Sequence, residues 1–161
     1  MSGQRFSQFI AAPPRVVYHT LLDPRLIERW RVPTGMHAEV HEFDARPGGR
    51  FRVSLTYEAS GQAGKTTART DAYRGSFREL IPDMRVVEVL EFETTEPSMQ
   101  GEMTITTSLE ASEGGTLLSA THEGLPAGVS PGDNEKGWRD SLGKLARLLA
   151  PTAVAESAAD S

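Results

Sequence analysis

Residues 134–149, NEKGWRDSLGKLARLL, carry the pattern of a long amphipathic helix near the end of the chain. Large apolar residues recur in it at spacings of four, three and four, and they are Trp138, Leu142, Leu145 and Leu149. This spacing predicts a helix with one apolar stripe, capped by Ser130 or Asp133 and ended by Pro151. An amphipathic helix needs an apolar surface to pack on, and the preceding residues have to supply it.

The chain before this helix alternates with the period of two that is typical of β-strands. In residues 50–57, RFRVSLTY, Phe51 and Val53 share a face with Leu55 and Tyr57. Short turns separate the strands, so an antiparallel meander is predicted. Its later strands are expected in residues 67–80, 85–94, 102–111 and 116–125.

The first thirty residues predict one strand and two short helices. The strand is expected over residues 6–11, and two prolines stop it. Asp23 is placed to cap the second helix, with Pro24 at its first position and Trp30 at its end.

This order of elements predicts an α+β fold with a cavity. An antiparallel sheet with one apolar face must cover that face. A sheet of six or seven strands is wide and curls because strands twist, so one long helix fills its groove only in part. The remaining space is either filled by large side chains or left as a pocket of roughly 300–1,000 Å³.

Composition argues against several kinds of partner and site. The net charge of -5, from 17 basic and 22 acidic residues, disfavours binding to nucleic acid or to an anionic membrane. The absence of cysteine excludes disulfides, thiolate metal sites and cysteine catalysis. No stretch is apolar enough for a signal peptide or a membrane span, so a cytoplasmic protein is expected.

Five stretches in a fixed order extend from about residue 6 to residue 149: IAAPPRVVYHTLLDPRLIERW, FDARPGGRFRV, YRGSFRELIPDMRVVEVLEF, EGGTLLSATHEGLP and GWRDSLGKLARLL. Together they resemble the START-like, helix-grip superfamily (SRPBCC), which includes the birch-pollen allergen. The sequence is most similar to small bacterial members of the activator of heat-shock protein 90 ATPase homologue family.

The resemblance implies a curved antiparallel sheet of six to seven strands wrapped on a long C-terminal helix, with two short helices after the first strand. It also implies a deep hydrophobic cavity between the sheet and that helix. Members of the superfamily include lipid carriers, hormone and flavonoid binders, aromatase/cyclases and a chaperone-stimulating domain. The fold therefore predicts binding without naming the ligand.

The two tryptophans are the most informative candidates for this cavity. An indole is a wide apolar wall with one hydrogen-bond donor, and the family pattern GW favours a cavity-facing Trp138. Packing between the short helices and the sheet is the alternative for both. Trp30 is expected near an entrance, and Trp138, Leu142 and Leu145 are expected to form the roof. The wall is expected to come from Phe51, Val53, Leu55, Tyr57, Tyr73, Phe77, Met103 and Ile105.

Three polar side chains are candidates for contact with a ligand. Phe77 shares a strand face with Tyr73, and if that face is concave the hydroxyls of Tyr57 and Tyr73 are the expected polar contacts. His122 lies near the end of the last strand. It is expected at the pocket mouth or as a general base, because the pKa of histidine ordinarily lies near neutrality. A structural hydrogen bond is its commoner role.

Two other patterns have simpler interpretations. His37 and His41 have a spacing that suits zinc on a helix, but the stretch HAEVHEFD predicts a strand on which both point to solvent. No metal site is expected. Charged residues on the outer strand faces are interpreted as cross-strand ion pairs rather than as a docking surface. These are Arg50, Arg52, Arg74, Arg78, Arg85, Glu79, Glu88, Glu91 and Glu93.

We therefore expect one helix-grip domain over residues 1–150 and a disordered tail over 151–161. Its expected function is to bind a small hydrophobic or amphipathic molecule without a cofactor, as a monomer or homodimer. Two alternatives stay open. One is a cyclase or hydrolase of a polyketide-like or aromatic substrate, using His122 with a tyrosine. The other is a co-chaperone that stimulates a heat-shock protein 90 ATPase.

Overall fold

The computed structural model describes residues 3–57 and 70–150, which form a seven-stranded antiparallel sheet and three helices. The polar, glycine-rich stretch 58–66, which the sequence predicts as a loop, lies outside these residues, as do the first three residues of the strand predicted over 67–80 and the tail predicted over 151–161. The helices are α1 (Pro14–Leu21), α2 (Pro24–Trp30) and α3 (Pro131–Leu149). The strands are β1 (Gln4–Ile10), β2 (Met36–Phe43), β3 (Arg50–Tyr57), β4 (Thr70–Ile81), β5 (Arg85–Phe92), β6 (Met103–Ser112) and β7 (Gly115–Glu123).

The sheet order, β1-β7-β6-β5-β4-β3-β2, is a meander whose first strand returns to pair with the last. β1 begins two residues earlier than predicted because Gln4 pairs with His122 across the β1–β7 ladder. α1 and α2 follow β1, and α3 lies on the concave face. The predicted helix-grip fold is therefore confirmed.

The predicted helix starts are confirmed by their caps. The Asp23 side chain accepts a hydrogen bond from the backbone N–H of Arg25, and Pro24 is the first residue of α2. Of the two candidates for α3, Ser130 is the cap, since its hydroxyl accepts from the backbone N–H of Asp133. Asp133 lies in the first turn of α3, where a negative charge complements the helix dipole.

An aromatic cluster fills one end of the concave face. The Phe51 and Phe77 ring centroids are 5.1 Å apart, and Phe43 lies 5.4 Å from Phe77. Leu142 and Leu145, in the second half of α3, are also buried in the core. Large side chains therefore occupy most of the groove, and open space is confined to the end near the start of α3.

Gly75 brings β3, β4 and β5 close together beside this cluster. A Cβ on Gly75 would meet the backbone oxygen of Val89 and would lie 2.8 Å from Cζ of Phe51. The obstacle includes backbone of a neighbouring strand, which cannot rotate away as a side chain does.

We expect Gly75→Ala to lower the free energy of unfolding by about 1–3 kcal/mol, the usual cost of overpacking. Urea unfolding followed by circular dichroism measures this loss. Ser76→Ala, at the next position on the same strand, is the control and should change stability by less than about 0.5 kcal/mol. Equal midpoints for the two variants would contradict the close approach at Gly75.

Candidate functional site

An apolar cleft of about 200 Å³ opens between the sheet and the first half of α3. It is smaller than the predicted pocket because the aromatic cluster and the leucines of α3 fill the rest of the groove. Its lining residues are Arg31, Pro33, Leu55, Tyr73, Leu90, Phe92, Met103, Ile105, Asp133, Asn134, Gly137, Trp138 and Ser141.

A larger groove, of about 460 Å³, has a different character. It is lined mainly by charged residues of the outer strand faces, which pair with each other. Arg52 binds Glu93 at 2.7 Å, and Arg74 lies 3.2 Å from Glu91. Arg74 and Glu91 face each other across the β4–β5 ladder, as predicted, and Arg52 reaches Glu93 just beyond the end of β5. This groove is polar, so the apolar cleft is the better candidate for a small, apolar ligand.

Arg31 follows α2 and extends its guanidinium under the cleft. Cζ of Arg31 lies 5.3 Å from the centroid of the Tyr73 ring and 5.1 Å from that of Trp138, so both rings make cation–π contacts. Nη1 donates to Oε2 of Glu88 at 3.0 Å, and Nη2 lies 2.9 Å from Oε1. One residue thus joins α2, β4, β5 and α3.

From the sequence, Glu88 was placed on the solvated face together with Glu79, Glu91 and Glu93. For Glu88 this placement is wrong. Glu88 is only 7 % exposed and pairs with Arg31 on the concave side. Alternation along β5 explains this position, because residue 88 shares its face with Val86, Leu90 and Phe92. Burial alone would lower the pKa of Arg31, but the Glu88 carboxylate outweighs it and raises that pKa.

Among the buried polar atoms without a partner in the described residues, the Tyr73 hydroxyl alone belongs to a residue that lines the cleft. Tyr73 lines the cleft and is 5 % exposed, and its oxygen has no hydrogen-bond partner among the described residues. Burial raises the pKa of Tyr73, although the Arg31 charge acts in the opposite direction, so the phenol stays protonated. The cleft therefore holds a desolvated donor.

His122 is a core residue with a structural hydrogen bond, the role that the sequence analysis gave as the commoner one, and it does not lie at the pocket mouth. It is 1 % exposed, its ring lies 4.6 Å from the Trp138 ring, and it is not among the residues that line the cleft. Its Nδ1 accepts a hydrogen bond from Nδ2 of Asn134, which also donates to Oε1 of Gln4. Burial, followed by the charge of Arg31, lowers the pKa of His122 to about 3. The assumption of an ordinary histidine pKa was therefore wrong.

Trp30 was expected near an entrance, but it lies in the core. It is 3 % exposed and makes an edge contact with Trp138 at 6.4 Å between ring centroids. With Glu88, Thr107 and Leu142 it lines a void of about 10 Å³ beneath the cleft. Trp138 is half-buried and separates the two spaces, since it lines both.

The other predicted site residues divide between the cleft and the core. Those brought together at the cleft are Leu55, Tyr73, Met103, Ile105 and Trp138. Those packed in the core beyond it are Phe51, Val53, Phe77, Leu142 and Leu145. Tyr57, at the end of β3, is 43 % exposed and does not line the cleft. The sequence reasoning missed the other lining residues, of which alternation along β5 could have indicated Leu90 and Phe92. These missed residues are Arg31, Pro33, Leu90, Phe92, Asp133, Asn134, Gly137 and Ser141.

The two neighbouring histidines lie on β2 and both are exposed, as predicted. Nε2 of His41 lies 2.6 Å from Oγ of Ser54. Within residues 3–57 and 70–150, no three His, Asp or Glu side chains are grouped closely enough to hold a metal ion. None of the helices in that part of the chain has the length and apolar character needed to cross a membrane.

Comparison with known proteins gives a consistent result. Residues 11–150 match the family model described as Activator of Hsp90 ATPase homolog 1-like protein. A protein from Chromobacterium violaceum is 32% identical, with a TM-score of 0.84 over 93% of this chain and 98% of its own. The AHSA1 protein from Silicibacter pomeroyi is 18% identical and shares the fold, with a TM-score of 0.74 over 92% of this chain and 97% of its own. No curated protein matches significantly.

The buried ion pair generates a stability prediction. Glu88→Leu should lower the free energy of unfolding by about 3–5 kcal/mol because it leaves Arg31 buried without a counter-charge. The double variant Arg31→Met/Glu88→Leu should recover most of this loss. Urea unfolding measures both, with Glu91→Leu on the outer face as a control that should cost less than about 1 kcal/mol. A double variant no more stable than Glu88→Leu would refute the pairing.

His122 generates a prediction about pH. Its pKa of about 3 in the folded chain lies below the unfolded value of about 6.5, so the unfolded chain binds more protons between these values. Stability should therefore fall as the pH decreases through this range, by up to about 1.4 kcal/mol per pH unit from this residue.

In His122→Gln this contribution disappears, so the variant should lose less stability than the wild type between about pH 7 and about pH 4.5. Urea unfolding at both pH values tests the difference, and His37→Gln controls for an exposed histidine. Identical pH dependence in the wild type and His122→Gln would show that the buried imidazole does not contribute.

Proposed function

The chain belongs to the Activator of Hsp90 ATPase homolog 1-like family, and from this premise we propose that it binds a small, largely apolar molecule in the cleft between the sheet and α3. The observation that carries the proposal is an apolar cleft with a desolvated, unpartnered donor, the Tyr73 hydroxyl. A cleft of about 200 Å³ suits a ligand smaller than those of typical drug-sized pockets.

Burial of apolar ligand surface supplies most of the binding energy in this proposal. Contact with Leu90, Phe92, Met103 and Ile105 removes apolar surface from water, at about 25 cal/mol per Å². The Tyr73 hydroxyl adds orientation, because a buried polar group without a partner costs about 1–3 kcal/mol and an acceptor on the ligand removes that cost.

Gly137 supports the proposal from the side of the helix. A glycine inside a helix costs about 1 kcal/mol relative to alanine. At this position it lines the cleft, and a Cβ there would come no closer than 4.0 Å to Pro33. The missing side chain therefore leaves space between α3 and the loop after α2 where a ligand can enter.

The two alternatives have less support. Catalysis by His122 lacks a base of suitable strength, because burial holds its pKa far below neutrality and Trp138 lies between its ring and the cleft. Stimulation of an Hsp90-type ATPase rests on the description of the family alone. Binding in the cleft is therefore the function to test first.

The test compares two leucine substitutions in the same helix. Gly137→Leu should fill the cleft and reduce uptake of the neutral fluorophore N-phenyl-1-naphthylamine at least about tenfold, and leucine favours the helix. Gly143→Leu makes the same change at a position outside the cleft and should bind within about twofold of the wild type. Native mass spectrometry of the purified wild type should show a co-purifying small molecule that Gly137→Leu lacks.

Equal uptake by both leucine variants would place the fluorophore elsewhere and would contradict the proposal. Absence of uptake by the wild type would also contradict it and would favour a protein partner.

A further inference from the structure

We infer that the cleft selects neutral molecules that carry a hydrogen-bond acceptor, such as ketones and esters, and rejects carboxylates of the same shape. This inference rests on the proposed function and specifies the class of ligand. It follows from how charge and hydrogen-bonding capacity are distributed around the cleft.

Arg31 places a cation beneath the cleft. An arginine in an apolar pocket would ordinarily recruit a carboxylate. Arg31 already has one, because both of its terminal nitrogens lie within 3.0 Å of the Glu88 carboxylate. Glu88 is buried beneath the cleft, so the pair presents no net charge to a ligand.

A carboxylate ligand would have to compete with Glu88 for Arg31. A carboxylate ligand could gain Arg31 only by displacing Glu88, whose side chain is 9% exposed. Displacement would leave the Glu88 charge buried without a partner, which is strongly unfavourable. A carboxylate that does not displace Glu88 would lose its hydration without gaining a counter-charge.

The mouth of the cleft carries one negative charge among its lining residues. Asp133 is the other charged residue among those that line it, and its side chain is exposed in the first turn of α3. The helix dipole offsets part of this charge. With Arg31 balanced by Glu88, the remaining charge at the cleft is negative and disfavours the approach of an anion.

Tyr73 supplies the hydrogen-bond donor at the cleft. The Tyr73 hydroxyl is buried, protonated and unpartnered within the described part of the chain. A carbonyl oxygen accepts such a hydrogen bond while remaining neutral, so it satisfies the donor without the cost of burying a charge. Neutral, acceptor-bearing molecules therefore meet every condition that the cleft sets.

The experiment uses three probes with one aromatic ring and the same number of non-hydrogen atoms. They are acetophenone, which is a neutral acceptor, benzoate, which is an anion, and cumene, which has no acceptor. Each probe is titrated into the 15N-labelled full chain, and binding is followed by the indole N–H signals. The chain has two such signals, from Trp30 and Trp138. Acetophenone should bind most tightly, cumene several-fold more weakly, and benzoate at least about tenfold more weakly than acetophenone.

Two variants test the residues behind this order. Tyr73→Phe should weaken acetophenone about fivefold and leave cumene unchanged. Tyr57→Phe makes the same change on the same sheet outside the cleft and should leave both probes unchanged. Glu88→Gln keeps the shape of the side chain and frees the charge of Arg31, so it should strengthen benzoate binding relative to acetophenone.

The outcomes separate this inference from the proposed function. If cumene and benzoate bind as tightly as acetophenone, or if Tyr73→Phe has no effect, the cleft binds ligands but the selectivity is refuted. If no probe shifts either indole signal, both the proposed function and the selectivity are refuted. The Tyr73→Phe comparison stands by itself if Glu88→Gln does not fold.

Discussion

A seven-stranded sheet has a wider concave face than one helix can cover, and the organisation of this protein follows from that mismatch. The second half of α3 covers its share with Leu142 and Leu145, and the phenylalanines of β3 and β4 fill the space beside them. Toward its start, α3 offers Gly137 and a single large residue, Trp138. The surface left uncovered there is the cleft.

The Arg31–Glu88 pair lies beneath the cleft, where α3 leaves the sheet uncovered. Burying two charges costs several kcal/mol each, and their attraction offsets this only with good geometry. Here the guanidinium also contacts the rings of Tyr73 and Trp138. The ion pair therefore holds both rings in place around the cleft. The same contacts set the charge and the hydrogen-bonding capacity that a ligand would meet.

The sequence was sufficient for the fold because its two periods are clear. Alternation in β3 and the four-three-four spacing in α3 define which faces meet. The same patterns could not show which inward-facing residues lie at the cleft and which lie in the filled part of the groove. Phe51 and Leu55 share a face, but only Leu55 lines the cleft. Arg31 was missed because it follows a helix, where no period applies. Glu88 was assigned to the wrong face because it is a charged residue. Its position in the alternation of β5 would have placed it on the concave face.

The pairing of β1 with β7 has a consequence for how the chain folds as it leaves the ribosome. Phe6 pairs with Ala120, so the β1 ladder cannot form until residue 120 has been synthesised. The hydrogen bonds from Asn134 to Gln4 and His122 require the start of α3 as well. Contacts between distant parts of a sequence slow folding. The β1–β7 ladder can therefore form only after β7 has been synthesised, and the hydrogen bonds of Asn134 only after the start of α3 has followed it.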